Sequence, residues 1–154
     1  LRNLFTRIAE TLFMDEKILN FWAQHSERFL EMALSNKKRE VLLHPDGYGT
    51  LTRECGDTVE IYLGLRNGRI HHASFQTNGC LYAVACANSA VHLVSGKTLQ
   101  EAWAITPQHI MDYLETLPPE EEHCAELAVR ALQAALKDLH DTQKQPWKKF
   151  YPRK

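Results

Sequence analysis

Apolar and polar residues alternate from Thr58 to Leu65: Val59, Ile61, Leu63 and Leu65 share one face, Thr58, Glu60, Tyr62 and Gly64 the other. A period of two marks a half-buried strand. Asn67-Gly68 follows, a dipeptide suited to tight hairpin turns. Beyond it His71, Ala73 and Phe75 alternate with His72, Ser74 and Gln76. The two runs predict a β-hairpin, and a third strand near Gly49–Arg53 completes a small antiparallel sheet. Residues 36–48 read as a connector, because Asn36-Lys37-Lys38-Arg39-Glu40 is charged and Pro45-Asp46-Gly47 signals a turn.

On either side of the strands the period lengthens. Residues 1–35 read as helical, with Asp15 and Glu16 in the first turn of a second segment, where they complement the helix dipole. Ile18, Leu19, Phe21, Trp22, Phe29, Leu30, Met32 and Leu34 then recur at roughly helical spacing. Cys80–Val94 is an apolar run of helix length closed by Ser95-Gly96. Thr98–Ile105 and Pro107–Thr116 predict two short helices, the second capped by Thr106 with Pro107 at its first position. After Pro118-Pro119, Glu120–His140 is amphipathic: Glu126, Arg130, Gln133 and Lys137 form a polar stripe opposite Leu127, Ala128, Ala131, Leu132, Ala135, Leu136 and Leu139. Grouped strands surrounded by helices predict an α+β domain. Its parts are an N-terminal helical segment over 1–40, the main domain over 41–140 and a basic tail over 141–154.

Composition narrows the partners. The chain has 154 residues, 44% hydrophobic and 24% charged, enough for one domain with its own core. Lys+Arg 18 against Asp+Glu 19 leaves a formal net charge of −1, so no basic excess argues for nucleic acid. The local run Lys148-Lys149-Phe150-Tyr151-Pro152-Arg153-Lys154 reads as a solvated tail. No apolar run approaches bilayer length, so no membrane partner is expected. Leu1-Arg2-Asn3-Leu4-Phe5 lacks the layout of a secretory signal, which makes the cytoplasm the expected compartment.

In a reducing compartment, cysteines serve as ligands, nucleophiles or core residues rather than disulfides. Three of the four are widely separated: Cys55 in Glu54-Cys55-Gly56-Asp57, Cys80 after Asn78-Gly79, and Cys124 after His123. None forms a CxxC pair. Each falls at a turn or a predicted helix start, where thiolate is favoured; Glu120, Glu121 and Glu122 oppose that effect at Cys124 by repulsion. Gly79 suits a sharp strand-to-helix turn and close approach to an ion. Asp57, two residues after Cys55, could reach the same metal and would be a harder donor than sulfur, and His123 could ligate metal, relay a proton or pair with the Cys124 thiolate. Three thiolates with Asp57 and His123 would make a metal or cluster site assembled by the fold; the competing reading is buried structural thiols. Cys86, six residues past Cys80 and between two alanines, reads as a core residue. His71 and His72 point to opposite faces of a strand and do not share a metal.

The ordered set is more specific than any member. Cys55-Gly56-Asp57 precedes an alternating strand; an Asn-Gly hairpin leads to Phe75-Gln76-Thr77-Asn78-Gly79-Cys80; then come Gly96-Lys97-Thr98-Leu99, Glu101-Ala102, Leu117-Pro118-Pro119 and His123-Cys124. Over about residues 49–140 the chain resembles the U-type iron–sulfur cluster assembly scaffolds, the IscU/NifU N-terminal-domain family. The resemblance implies an α+β domain with a three-stranded antiparallel sheet packed with helices. It further implies that Cys55, Cys80 and Cys124 accept sulfur from a cysteine desulfurase, collect iron from an iron donor, and hold a labile [2Fe–2S] cluster for recipient apo-proteins. Asp57 takes the place of the family's labilising aspartate and His123 that of its histidine, either one a fourth or exchanging ligand; zinc binds in the same pocket in some members. A zinc-dependent sulfurtransferase is the alternative, although such relatives carry an insertion that the Cys80–Cys124 interval is too short to hold. Leu81 and Tyr82 stand where the family has Gly and a serine-rich stretch, and Glu120-Glu121 follows Leu117-Pro118-Pro119 where a lysine is expected. That charge reversal argues against a dedicated chaperone and marks a divergent branch.

Overall fold

The computed structural model describes residues 23–54 and 56–150, with the backbone alone at Lys148 and Lys149. The expected helix positions Asp15, Glu16, Ile18, Leu19, Phe21 and Trp22 lie outside the described residues, as does Cys55.

The predicted hairpin forms. Strands β1 (Gly47–Thr52), β2 (Thr58–Arg66) and β3 (Arg69–Thr77) make an antiparallel sheet in the order β1-β2-β3. Asn67 and Gly68 take φ of 54° and 76°, the left-handed pair that a twisted two-residue hairpin requires. β1 begins inside the segment expected to be connector, because the turn signal at Pro45-Asp46 ends one residue before pairing starts at Gly47↔Leu63.

A bulge shifts the phase of β3. Gly64 pairs with His72, but Leu65 pairs with Ile70, leaving His71 without an opposite residue. Ile70 therefore takes the buried position and His71 is exposed, which corrects the alternation expected to place His71 with Ala73 and Phe75. A bulge of this kind bends the strand and interrupts the ladder; the Leu65 N–H donates instead to Asp46 Oδ2 at 2.7 Å.

The helices are α1 (Glu27–Leu34), α2 (Leu81–Val94), α3 (Leu99–Trp103), α4 (Pro107–Leu114) and α5 (Glu122–Lys144), the last preceded by a 3₁₀ turn at Pro119–Glu121. Their starts follow local chemistry. Thr98 and Glu101 form a reciprocal capping box, and Thr106 caps α4 with Pro107 in the first turn. Ser26 Oγ accepts from the Phe29 N–H and donates to the Leu114 carbonyl at 2.8 Å, joining the start of α1 to the end of α4. α5 runs beyond His140 to Lys144, with Leu139 and Thr142 still buried.

α5 packs across β1 and β2, and α2 across β3. Ile61, Leu63, Phe75, Leu132, Leu136 and Leu139 are fully buried between these layers, each contributing about 2 kcal/mol by leaving water. Where α5 crosses β1 the backbones touch: a Cβ on Gly49 would fall 2.2 Å from Ala135 N and 2.5 Å from Ala131 O. α1 covers α2 from outside, and buried Asn88 donates through Nδ2 to the Met32 carbonyl at 2.9 Å. No helix among the described residues is long and apolar enough to cross a membrane.

Candidate metal centre

β3 delivers the first thiol. It ends at Thr77, whose Oγ accepts from the Gly79 N–H at 3.0 Å, and the chain turns into α2 with Cys80 as its N-cap. Cys80 is exposed and its extended backbone (φ −70°, ψ 178°) caps the helix without a side-chain hydrogen bond. Gly79 is needed for a reason the sequence did not suggest. Its φ is not left-handed; a Cβ there would stand 2.6 Å from the Cβ of Ala83, one turn into α2.

The second thiol comes from α5. Cys124 lies in its first turn and is 1% exposed. Burial, then the neighbouring Cys80 and then Glu121 push its pKa up to about 12. At Cys124, burial, then Cys80 and then Glu121 act against the thiolate stabilisation expected at a helix start. A bound cation would reverse that balance, since coordination deprotonates a thiol.

Glu121 completes the cluster. It closes the 3₁₀ turn, its N–H bonded to the Pro118 carbonyl at 2.9 Å. From there its Oε2 lies 3.6 Å from Cys124 Sγ and 3.5 Å from His123 Nε2. Ligand atoms of Cys80, Glu121 and Cys124 all lie within 4.8 Å of one another. Two thiols and a carboxylate at that separation suit a borderline or thiophilic cation such as iron or zinc. Sequence reasoning missed Glu121 because it reads the glutamate triplet as first-turn charges. The usable signal was its spacing to Cys124, i to i+3, which aligns two side chains on one helix face.

The remaining expected residues flank this group. Asp57 places its carboxyl carbon 3.7 Å from the Cβ position of Gly79, beside the turn into Cys80, but it is not in the cluster. His123 reaches Glu121. The loop that carries Cys55 is anchored at its described residues: the Asn78 side chain accepts from the Thr58 N–H at 2.8 Å and donates to the Gly56 carbonyl at 3.3 Å. The Arg53 N–H donates to the Asp57 carbonyl at 2.8 Å and the Gly56 N–H to the Arg53 carbonyl at 2.9 Å. Cys86 is fully buried, its thiol held well above the ordinary range by burial and then by Cys124 and Cys80. A cleft of about 710 Å³ lies between Leu51–Glu54 and the outer side of α5, with His123, Glu126 and Arg130 among its walls.

A three-stranded antiparallel sheet backed by helices defines an α+β domain, with two thiols and a carboxylate that could hold a metal ion gathered at two helix starts. The chain belongs to the NifU-like N terminal domain family, which matches residues 35–146. It is similar to the iron–sulfur cluster assembly scaffold protein IscU of Haemophilus influenzae, 35% identical over 126 residues, 73% of this chain and 99% of that relative. It is also similar to the scaffold protein IscU 1 of Archaeoglobus fulgidus, 39% identical over 94 residues, and spans 61% of that relative's length with 60% of its own. The N-terminal part of a nitrogen-fixing NifU-like protein from Brucella abortus has the same fold, with a TM-score of 0.62 and 20% identity over 75% of this chain and 94% of that one.

Proposed function

We propose that this protein is an iron–sulfur cluster assembly scaffold: it accepts sulfur and iron, holds a labile [2Fe–2S] cluster on Cys55, Cys80 and Cys124, and passes it on. The observation that carries this reading is the convergence of Cys80, Glu121 and Cys124 within 4.8 Å, beside the anchored loop that bears Cys55. The cluster is cargo, and the donor set suits it. Thiolates bind iron of either valence, while an oxygen or nitrogen ligand weakens retention and alters potential. Either Asp57 or His123 supplies the fourth or exchanging ligand as recipients take over the iron.

Exposure divides the labour between the two described thiols. Cys80, at the surface, receives sulfur from a cysteine desulfurase; Cys124, buried and protonated until metal arrives, is protected from stray oxidation. An iron donor and recipient apo-proteins complete the exchange, and cytoplasmic reducing conditions keep the thiols available. The glutamates after Leu117-Pro118-Pro119 disfavour a dedicated chaperone that reads a basic residue there.

Anaerobic reconstitution with iron and sulfide tests the proposal. The intact chain is expected to develop a [2Fe–2S] chromophore, and Cys55→Ala, Cys80→Ala and Cys124→Ala are each expected to weaken it. A full chromophore in all three variants refutes the assignment. Zinc as isolated, no chromophore, and persulfide accepted from a desulfurase would instead identify a zinc-dependent sulfurtransferase.

A further inference from the structure

Glu121 is the oxygen donor that the described residues bring to the two thiols, and its distances are those of a ligand. Around one tetrahedral ion, with sulfur at about 2.3 Å and carboxylate oxygen at about 2.1 Å, the two donor atoms stand about 3.6 Å apart. The Cys124 thiol donates to Glu121 Oε2 at 3.6 Å, so a cation that replaces that proton finds the two atoms already at this spacing. The third donor, Cys80 Sγ, falls within 4.8 Å of both and sits on an exposed side chain whose rotation closes the remaining gap. The carboxylate is also held from behind. His123 Nε2 lies 3.5 Å from the same Oε2, within ion-pair reach when the ring is protonated, so it stands where a group that orients a ligating carboxylate would.

We propose that Glu121 is a direct oxygen ligand of a divalent cation seated on Cys80 and Cys124, so that the metal is held by two helix starts without the Cys55 loop. His123 then positions Glu121 rather than binding the ion. This rests on reading the site as a thiolate metal centre, and it adds an intermediate to the assembly sequence: a mononuclear ion parked on two sulfurs and one oxygen. A carboxylate is the donor most easily displaced from such an ion by incoming sulfide, because it is the hardest of the three. The position therefore serves iron entry and exchange.

Anaerobic cobalt(II) titration of the metal-free 154-residue chain tests the proposal, using Cys55→Ser alone and with Glu121→Gln. Cys55→Ser is expected to bind one cobalt with thiolate charge-transfer intensity corresponding to two sulfurs. Adding Glu121→Gln is expected to weaken binding at least tenfold and to shift the ligand-field bands. The band shift separates ligation from mere attraction by a nearby negative charge, which lowers affinity and leaves the bands in place. Glu121→Asp, which keeps the carboxylate, is expected to recover part of the affinity. Unchanged affinity or unmoved bands in Glu121→Gln, or no cobalt binding by Cys55→Ser, overturns the proposal. Cluster reconstitution on the intact chain is scored separately. If it fails while cobalt binding depends on Glu121, the scaffold reading falls and the ligand assignment stands.

Discussion

Two glycines occupy similar crowding in different parts of the molecule. At the β1–α5 seam, a Cβ on Gly49 would strike the main chain of α5, 2.2 Å from Ala135 N and 2.5 Å from Ala131 O. At the rim where β3 leaves the sheet, a Cβ on Gly79 would strike the Ala83 methyl at 2.6 Å and approach Thr77 Oγ at 3.3 Å. Main chain on both sides of the seam cannot rotate away, whereas the rim is a turn with exposed neighbours in Asn78 and Cys80. The seam belongs to the close-packed core, and the rim is a connection that carries the exposed Cys80 thiol. Stability and metal affinity should therefore respond separately to the same added methyl.

Gly49→Ala is expected to have the largest effect, lowering the unfolding free energy by about 3 kcal/mol as the helix is forced off the strand. Urea denaturation followed by circular dichroism measures it, and a loss under about 1 kcal/mol would show that the seam yields. Gly79→Ala should cost about 1 kcal/mol in the same assay. Its larger consequence should appear in cobalt(II) affinity, several-fold weaker as Cys80 is displaced from Cys124; equal affinity would erase the distinction between seam and rim.

The smallest effect concerns the sheet face away from α5. Tyr48 donates to Glu60 Oε1 at 2.6 Å and meets the Tyr62 ring edge-on at 5.1 Å. Burial first, and then the hydrogen bond to Glu60, raise its pKa to about 12. The folded protein thus holds this proton more tightly than the unfolded chain does. The associated stability is complete below pH 10 and is lost as pH climbs from 10 toward 12. Tyr48→Phe should flatten that alkaline decline in a pH series of denaturation midpoints; an unchanged slope would remove Tyr48 as its source.

Much of this architecture was legible because it depends on short-range chemistry. Asn67-Gly68, the Thr106-Pro107 start and the stripe on α5 each report a local backbone preference or a period. The bulge at Gly64/Leu65 was not legible, since the Leu65 N–H there is met by Asp46, distant in sequence. Within the site, Cys80 and Cys124 were recognisable as thiols at helix starts, but the protonated state of Cys124 was not. Its raised pKa reflects burial, then the neighbouring Cys80, then a carboxylate brought in by the 3₁₀ turn after Pro118. Glu121 was hidden because the glutamate triplet reads as first-turn charge, although its i to i+3 spacing to Cys124 put the two on one helix face.

The single side chain of Asn78 holds the Gly56 carbonyl and the Thr58 amide, and it stands two residues before Cys80. The first-cysteine loop and the end of β3 are thereby yoked. Pulling either stretch outward must therefore break these two bonds or carry the other stretch with it.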